Sequence, residues 1–166
     1  MTAAELIAVA AFKSGVYSQA FPAFGVERRG APVQAFVRFS DHRIRLRSQV
    51  YEPDYIIVQD STLIKDVAVF SGLKEGGIAI INTEKELKFS VPENAKIITI
   101  DATSIALEIL GVPITNTSLM GAFAAASGEI SVEALGEAIQ DRFTGSLAEK
   151  NIKAANRAFE MVQGGL

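Results

Sequence analysis

The chain has 166 residues and a mass of 17.7 kDa, which suggests a single domain over residues 1–166; 49% of it is hydrophobic and 21% charged, which excludes a disordered chain. It has no cysteine, which excludes disulfides, thiol catalysis, zinc–thiolate sites and iron–sulfur ligation by this chain, and its one histidine leaves a catalytic triad or a His-rich metal site without support. No apolar run reaches the ~20 residues of a membrane helix, and the start, with Glu5 and no basic stretch, does not read as a signal peptide, so the expectation is a soluble, cytoplasmic protein.

Thr2 and Glu5 have capping-box spacing, and residues 2–14 then read as a helix that is apolar nearly all round, with Gly15 as its stop. Residues 17–21 are a short strand candidate, and 22–32 a loop in which Gly25 and Gly30 flank Glu27, Arg28 and Arg29. From 33 to 39 apolar and polar residues alternate; 40–43 read as a turn, and Ile44 and Leu46 then alternate with Arg43, Arg45 and Arg47. The periodicity predicts a hairpin of these two runs, with the three arginines on one face. Residues 55–59, 78–81 and 97–100 are apolar runs of strand length, as expected of strands covered on both faces. Ser61 is the expected cap of a helix to about Leu73, and Asp101 opens another ending near Gly111. After Pro113 the pattern is helical: 116–127, rich in glycine and alanine, then 132–143, then a last helix from the capping box Ser146–Glu149 to about Gln163. Alternating strands and helices predict an α/β fold: three layers, α/β/α, a doubly wound mixed sheet with helices on both faces.

Charge is segregated. Residues 28–47 hold six of the eight arginines, no lysine and one acid, Asp41, so this stretch carries +5 and the rest −8 of a net −3. Arginine in preference to lysine suits bidentate contact with carboxylate or phosphate, although a solvated strand face explains it equally well. The acidic balance argues against nucleic acid as a partner. The positive mean hydropathy, +0.25, points to a subunit interface. Neither the dinucleotide glycine fingerprint nor the P-loop motif is present. His42 reads as a surface turn residue. Asp60 and Asp101 end strands where α/β ligands bind, but each also precedes a helix, and capping is the favoured reading. Residues 116–118 follow a proline turn and open a helix, whose N–H groups suit an anion. The residues alone offer no nucleophile, base or metal site. They describe an α/β binding domain with an arginine-lined hairpin.

Six stretches together carry a resemblance: 19–22 (QAFP), 25–32 (GVERRGAP), 44–48 (IRLRS), 52–54 (EPD) and, later, 80–83 (IINT) with 116–121 (NTSLMG). Over nearly its whole length the chain resembles the gamma subunits of the pyruvate:ferredoxin oxidoreductases, or pyruvate synthases, more than the 2-oxoglutarate branch. The resemblance implies a multi-subunit enzyme that oxidatively decarboxylates a 2-oxoacid, passes the acyl group to coenzyme A and reduces ferredoxin. Alpha, beta and delta subunits would be the partners. Thiamine diphosphate, magnesium and 4Fe-4S clusters would sit on those sister subunits, and this chain would help form the coenzyme A site and the subunit contacts. Arg28, Arg29, Gly30, Arg45, Arg47 and Ser48 match the family's motif and are the expected anion-binding or interface residues; no catalytic or metal residue is expected.

Family members usually begin with a strand and a glycine-rich turn leading into the first helix, and here Met1 stands where that turn should end. The expectations are a sheet with an unfilled edge or slot where that strand would lie and poor coenzyme A binding by the 166-residue form. The competing readings are a free-standing α/β module for a small ligand or nucleotide, a purely structural assembly subunit, and a gamma subunit of the 2-oxoglutarate branch.

Overall fold

A computed structural model of the chain describes residues 2–23, 33–66, 68–85 and 94–165. The elements run α1 (Thr2–Lys13), β1 (Tyr17–Pro22), β2 (Ala35–Ser40), β3 (Tyr55–Val58), α2 (Leu63–Asp66), β4 (Ile78–Asn82), β5 (Lys96–Ile100), α3 (Ala102–Leu110), α4 (Asn116–Ser127), α5 (Val132–Arg142) and α6 (Gly145–Gly165). The architecture is α/β, as the alternation predicts, and both strand senses occur: β1 and β2 form an antiparallel pair, and β3, β4 and β5 a parallel sheet in that order.

α1 stops where Gly15 takes a left-handed φ of +83°, a conformation only glycine adopts without cost. The helix buries Leu6, Ile7, Ala10 and Ala11, but Phe12 is 70% exposed, so it is covered on one broad side rather than all round. Thr2 lies inside the helix rather than ahead of it, and the Glu5 carboxylate faces Arg142 at 3.6 Å rather than returning to the first turn. Ser146 likewise falls inside α6, which starts at Gly145. By contrast Asp101 caps as its position predicts, and Ser131, which the sequence reading did not single out, caps α5; each accepts from the backbone N–H three residues on.

Two expectations fail. The hairpin of 33–39 with 43–47 does not form: β2 pairs with β1, Gln19 opposite Arg38 and Phe21 opposite Phe36. That pairing stacks the Phe21 and Phe36 rings 5.4 Å apart, whereas a strand at 43–47 would line three like charges along the ladder. The helix expected from 61 to 73 is four residues long. Asp60, not Ser61, takes the N–H at its start, from Thr62. The chain then turns through Gly72, at φ +79°, whose Cα lies so near Tyr51 that an added Cβ would fall 2.0 Å from that carbonyl oxygen.

The two sheets do not meet. Between β2 and β3 lies a cavity of about 1270 Å³, bordered by residues 33–39 on one side and 49–60 on the other, with Thr2 and Ile7 of α1 and Met120 and Phe123 of α4 also lining it. The cavity forms a slot between the two sheets. Phe123 spans its base, with ring centroids 5.4 Å from Tyr55 of β3 and 6.4 Å from Phe39 of β2. A smaller cavity, about 520 Å³, lies along β5 beside Met161 and Val162 of α6.

The core joins α1, the parallel sheet and α3 to α6 in one cluster, with α4 at its centre. α4 is buried over eight consecutive residues, Thr117 to Ala124, because α6 covers one side and the parallel sheet another. Thr117 meets Asn151 and Gly121 meets Ala155, so the two helices run side by side in the same sense. Their backbones touch at Gly121, where a Cβ would stand 2.0 Å from the Ala155 carbonyl oxygen.

Candidate functional site

In parallel sheets, ligands gather beyond the carboxyl ends of the strands. Here those ends carry Asp60, Asn82 and Asp101. Asp60 accepts from the Thr62 hydroxyl at 2.6 Å and from its backbone N–H at 2.9 Å, and these bonds hold its carboxyl below the usual range. Asp101 accepts from the Ser104 N–H at 2.8 Å and hydroxyl at 2.6 Å. Both acids are thus engaged as caps, the reading favoured from sequence. Asn82 ties the three ends together: its amide donates to the Gln59 carbonyl at 3.0 Å and to the Thr103 hydroxyl at 2.9 Å, and its oxygen accepts from the Thr103 N–H.

The opening of α4 turns inward. Thr115 precedes the helix without a side-chain cap, Asn116 lines the large cavity, and Thr117 donates to the buried Asn151 at 2.9 Å. Ser118 is buried with no hydrogen-bond partner for its hydroxyl among the described residues. His42 is exposed as expected, with Nδ1 2.5 Å from the Asp41 carboxylate beside it.

Of the residues expected to bind an anion or a partner, Arg28, Arg29 and Gly30 lie outside the described residues. Arg45, Arg47 and Ser48 lie, with Arg43, on the exposed segment 41–48, which has no helix or strand. The alternation that promised one shared face does not apply without a strand. Among the described residues none of the three arginine side chains makes a hydrogen bond or ion pair. Ser48 is held by a different arginine. Arg38 on β2 donates from Nη2 to the Ser48 carbonyl at 2.6 Å and the Gln49 carbonyl at 3.0 Å, and from Nη1 to Gln19 at 3.4 Å. Its guanidinium also lies 5.2 Å from the centroid of the Phe21 ring. The sequence signal for this clamp was the alternation itself, which puts Arg38 on one face with Phe36.

Sequence reasoning also passed over the pair in the slot, where the Tyr55 hydroxyl donates to Glu129 at 2.7 Å. Burial first, then the Glu129 carboxylate, pushes the phenol up to about 12. The two residues are 74 positions apart, so no local pattern announces them. Among the described residues no cluster of three or more His, Asp or Glu is placed to hold a metal, and no helix is long and apolar enough to cross a membrane.

Comparison with known proteins places this arrangement. The profile of a family described as Pyruvate ferredoxin/flavodoxin oxidoreductase matches residues 1–161. The "Pyruvate/ketoisovalerate oxidoreductases common subunit gamma" of Thermococcus litoralis is 55% identical over 96% of this chain and 89% of its own length. "Pyruvate synthase subunit PorC" of Methanocaldococcus jannaschii is 55% identical over 96% of this chain and 88% of its own. The crystal structure of pyruvate oxidoreductase subunit PORC (EC 1.2.7.1) from Thermotoga maritima superposes with a TM-score of 0.82 at 35% identity, over 96% of this chain and 87% of that one, and agrees with the three-layer α/β/α fold. The chain belongs to the pyruvate ferredoxin/flavodoxin oxidoreductase family.

Proposed function

We propose that this chain is the gamma subunit of a multi-subunit oxidoreductase that decarboxylates pyruvate oxidatively, forms acetyl-coenzyme A and reduces ferredoxin. The carrying observation is similarity over almost the whole chain to subunits named for pyruvate synthase, on a scaffold with no cysteine. A chain without thiols cannot ligate an iron–sulfur cluster. The clusters therefore fall to sister subunits, and the resemblance implies that thiamine diphosphate and magnesium also sit on the alpha, beta and delta chains. The gamma chain contributes to subunit assembly and to the coenzyme A site, and has no complete active site of its own. The cytoplasm is the expected compartment.

Anaerobic purification of the chain from cells that make it tests this reading. Expected are partner chains in fixed proportion, one of them cysteine-rich, and ferredoxin reduction that requires pyruvate and coenzyme A together. A chain that purifies alone overturns it in favour of a free-standing binding module. Faster turnover of 2-oxoglutarate than of pyruvate would move it to the other branch.

A further inference from the structure

We infer that the segment 41–51 is a preformed docking knob for an acidic protein surface on a sister subunit, rather than a contact for coenzyme A. This inference rests on the multi-subunit reading above.

Three observations carry it. The first is composition at the surface. Arg43, Arg45 and Arg47 are exposed and unpaired among the described residues, and between and beside them stand Leu46, 64% exposed, and Tyr51, 71% exposed. Arginine and tyrosine are among the residue types concentrated at the energetic centres of protein interfaces, where lysine is depleted. A phosphate ligand would account for the guanidiniums but not for a leucine set between two of them.

The second is shape. Coenzymes bind in concave sites that bury most of their surface. Residues 41–48 line neither of the two cavities described above; the large one begins again only at Gln49. The arginines stand outside both hollows, on exposed backbone.

The third is preorganisation. The segment has no helix or strand, yet it is held at its base. Arg38 grips the carbonyls of Ser48 and Gln49, the backbone at Gly72 packs against the Tyr51 carbonyl, and Lys74 pairs with Asp54 at 2.8 Å while its N–H donates to Pro53. A segment fixed before binding loses less conformational freedom on docking, which leaves more of the contact energy as affinity. Three guanidiniums with no acid paired to them among the described residues call for carboxylates on the partner, and bidentate arginine–carboxylate pairs supply both attraction and register.

The test uses the complete complex, with Arg43, Arg45 and Arg47 changed together to alanine, and Leu46→Ala made separately. These side chains are exposed, so thermal melting of the isolated gamma chain checks that the fold survives. The triple variant should weaken association of the gamma chain with its sister subunits about ten- to a hundredfold and flatten the salt dependence of assembly; Leu46→Ala should weaken it by a smaller factor. An intact assembly with a raised KM for coenzyme A overturns the inference in favour of a ligand contact. An unchanged assembly with unchanged KM overturns it in favour of a solvated surface. Loss of self-association of the isolated chain, with the complex unaffected, overturns it in favour of a contact between copies. If the wild-type chain forms no complex at all, the proposed function fails, and that result is separate from these.

Discussion

The two ends of this molecule are built in opposite ways. In the C-terminal half, α4 lies against α6 so closely that their backbones touch at Gly121, and the polar groups trapped there, Thr117 and Asn151, satisfy each other. In the N-terminal half, β2 and β3 face each other across a cavity of about 1270 Å³, and the segment between them carries exposed arginines, a leucine and a tyrosine. Small residues let the first region close on itself. The second keeps surface that the described residues do not cover, as suits a protein that works inside an assembly.

The contrast is sharpest at Gly121. Gly121→Ala would set a methyl 2.0 Å from the Ala155 carbonyl oxygen, with backbone atoms on the far side and no flexible side chain to yield. Overpacking of this kind costs about 3 kcal/mol, and thermal unfolding should show it as the largest single loss. If the variant melts like wild type, α4 and α6 do not pack as described. Asn151→Ala comes next. It strands the buried Thr117 hydroxyl and frees the Leu147 carbonyl, at a cost of about 2 kcal/mol by denaturant titration.

Away from the α4–α6 contact the effects are smaller. Asp101→Ala removes a cap that accepts two bonds from Ser104, and should cost about 1 kcal/mol. Arg38→Ala should cost about 1 kcal/mol as well, but locally: hydrogen exchange should quicken at 48–51 with no change in α4. Equal quickening in both places would mean that the two halves are one cooperative unit.

The smallest effect lies at the floor of the slot and is visible only in alkali. Tyr55 in the folded chain holds its proton to about 12, against an ordinary value of 10.0. Its contribution to stability is therefore complete below pH 10. Between pH 10 and 12 the unfolded chain ionises first, so stability falls as pH rises through that window. Tyr55→Phe should flatten the decline over that range while lowering stability at neutral pH by less than about 1 kcal/mol. A decline of unchanged slope in the variant would place its cause elsewhere.

Local chemistry announced the helices of the C-terminal half. The bounds of α4, Asn116–Ser127, match the expected ones, and the Asp101 cap, the Gly111 stop and the three parallel strands fall where the residues put them. In each case the signal and the structure lie within a few residues of one another. The resemblance to one family was also legible, because several short motifs had to agree at once. Partners across the chain were not legible. Alternation fitted 43–47 as the mate of 33–39, but pairing with β1 let Phe21 and Phe36 meet and Arg38 bridge to Ser48, contacts that only three-dimensional proximity creates. The expected helix after Ser61 had the right composition, yet the approach of Gly72 to Tyr51 turned the chain instead. Sequence by itself determined most of the helices, the three parallel strands and the lack of any cysteine to ligate a cluster. Only the tertiary structure decided which strands pair, that a slot opens between β2 and β3, and that the arginines lie outside it, because strand partners and cavities depend on residues far apart in the chain, which local periodicity cannot see.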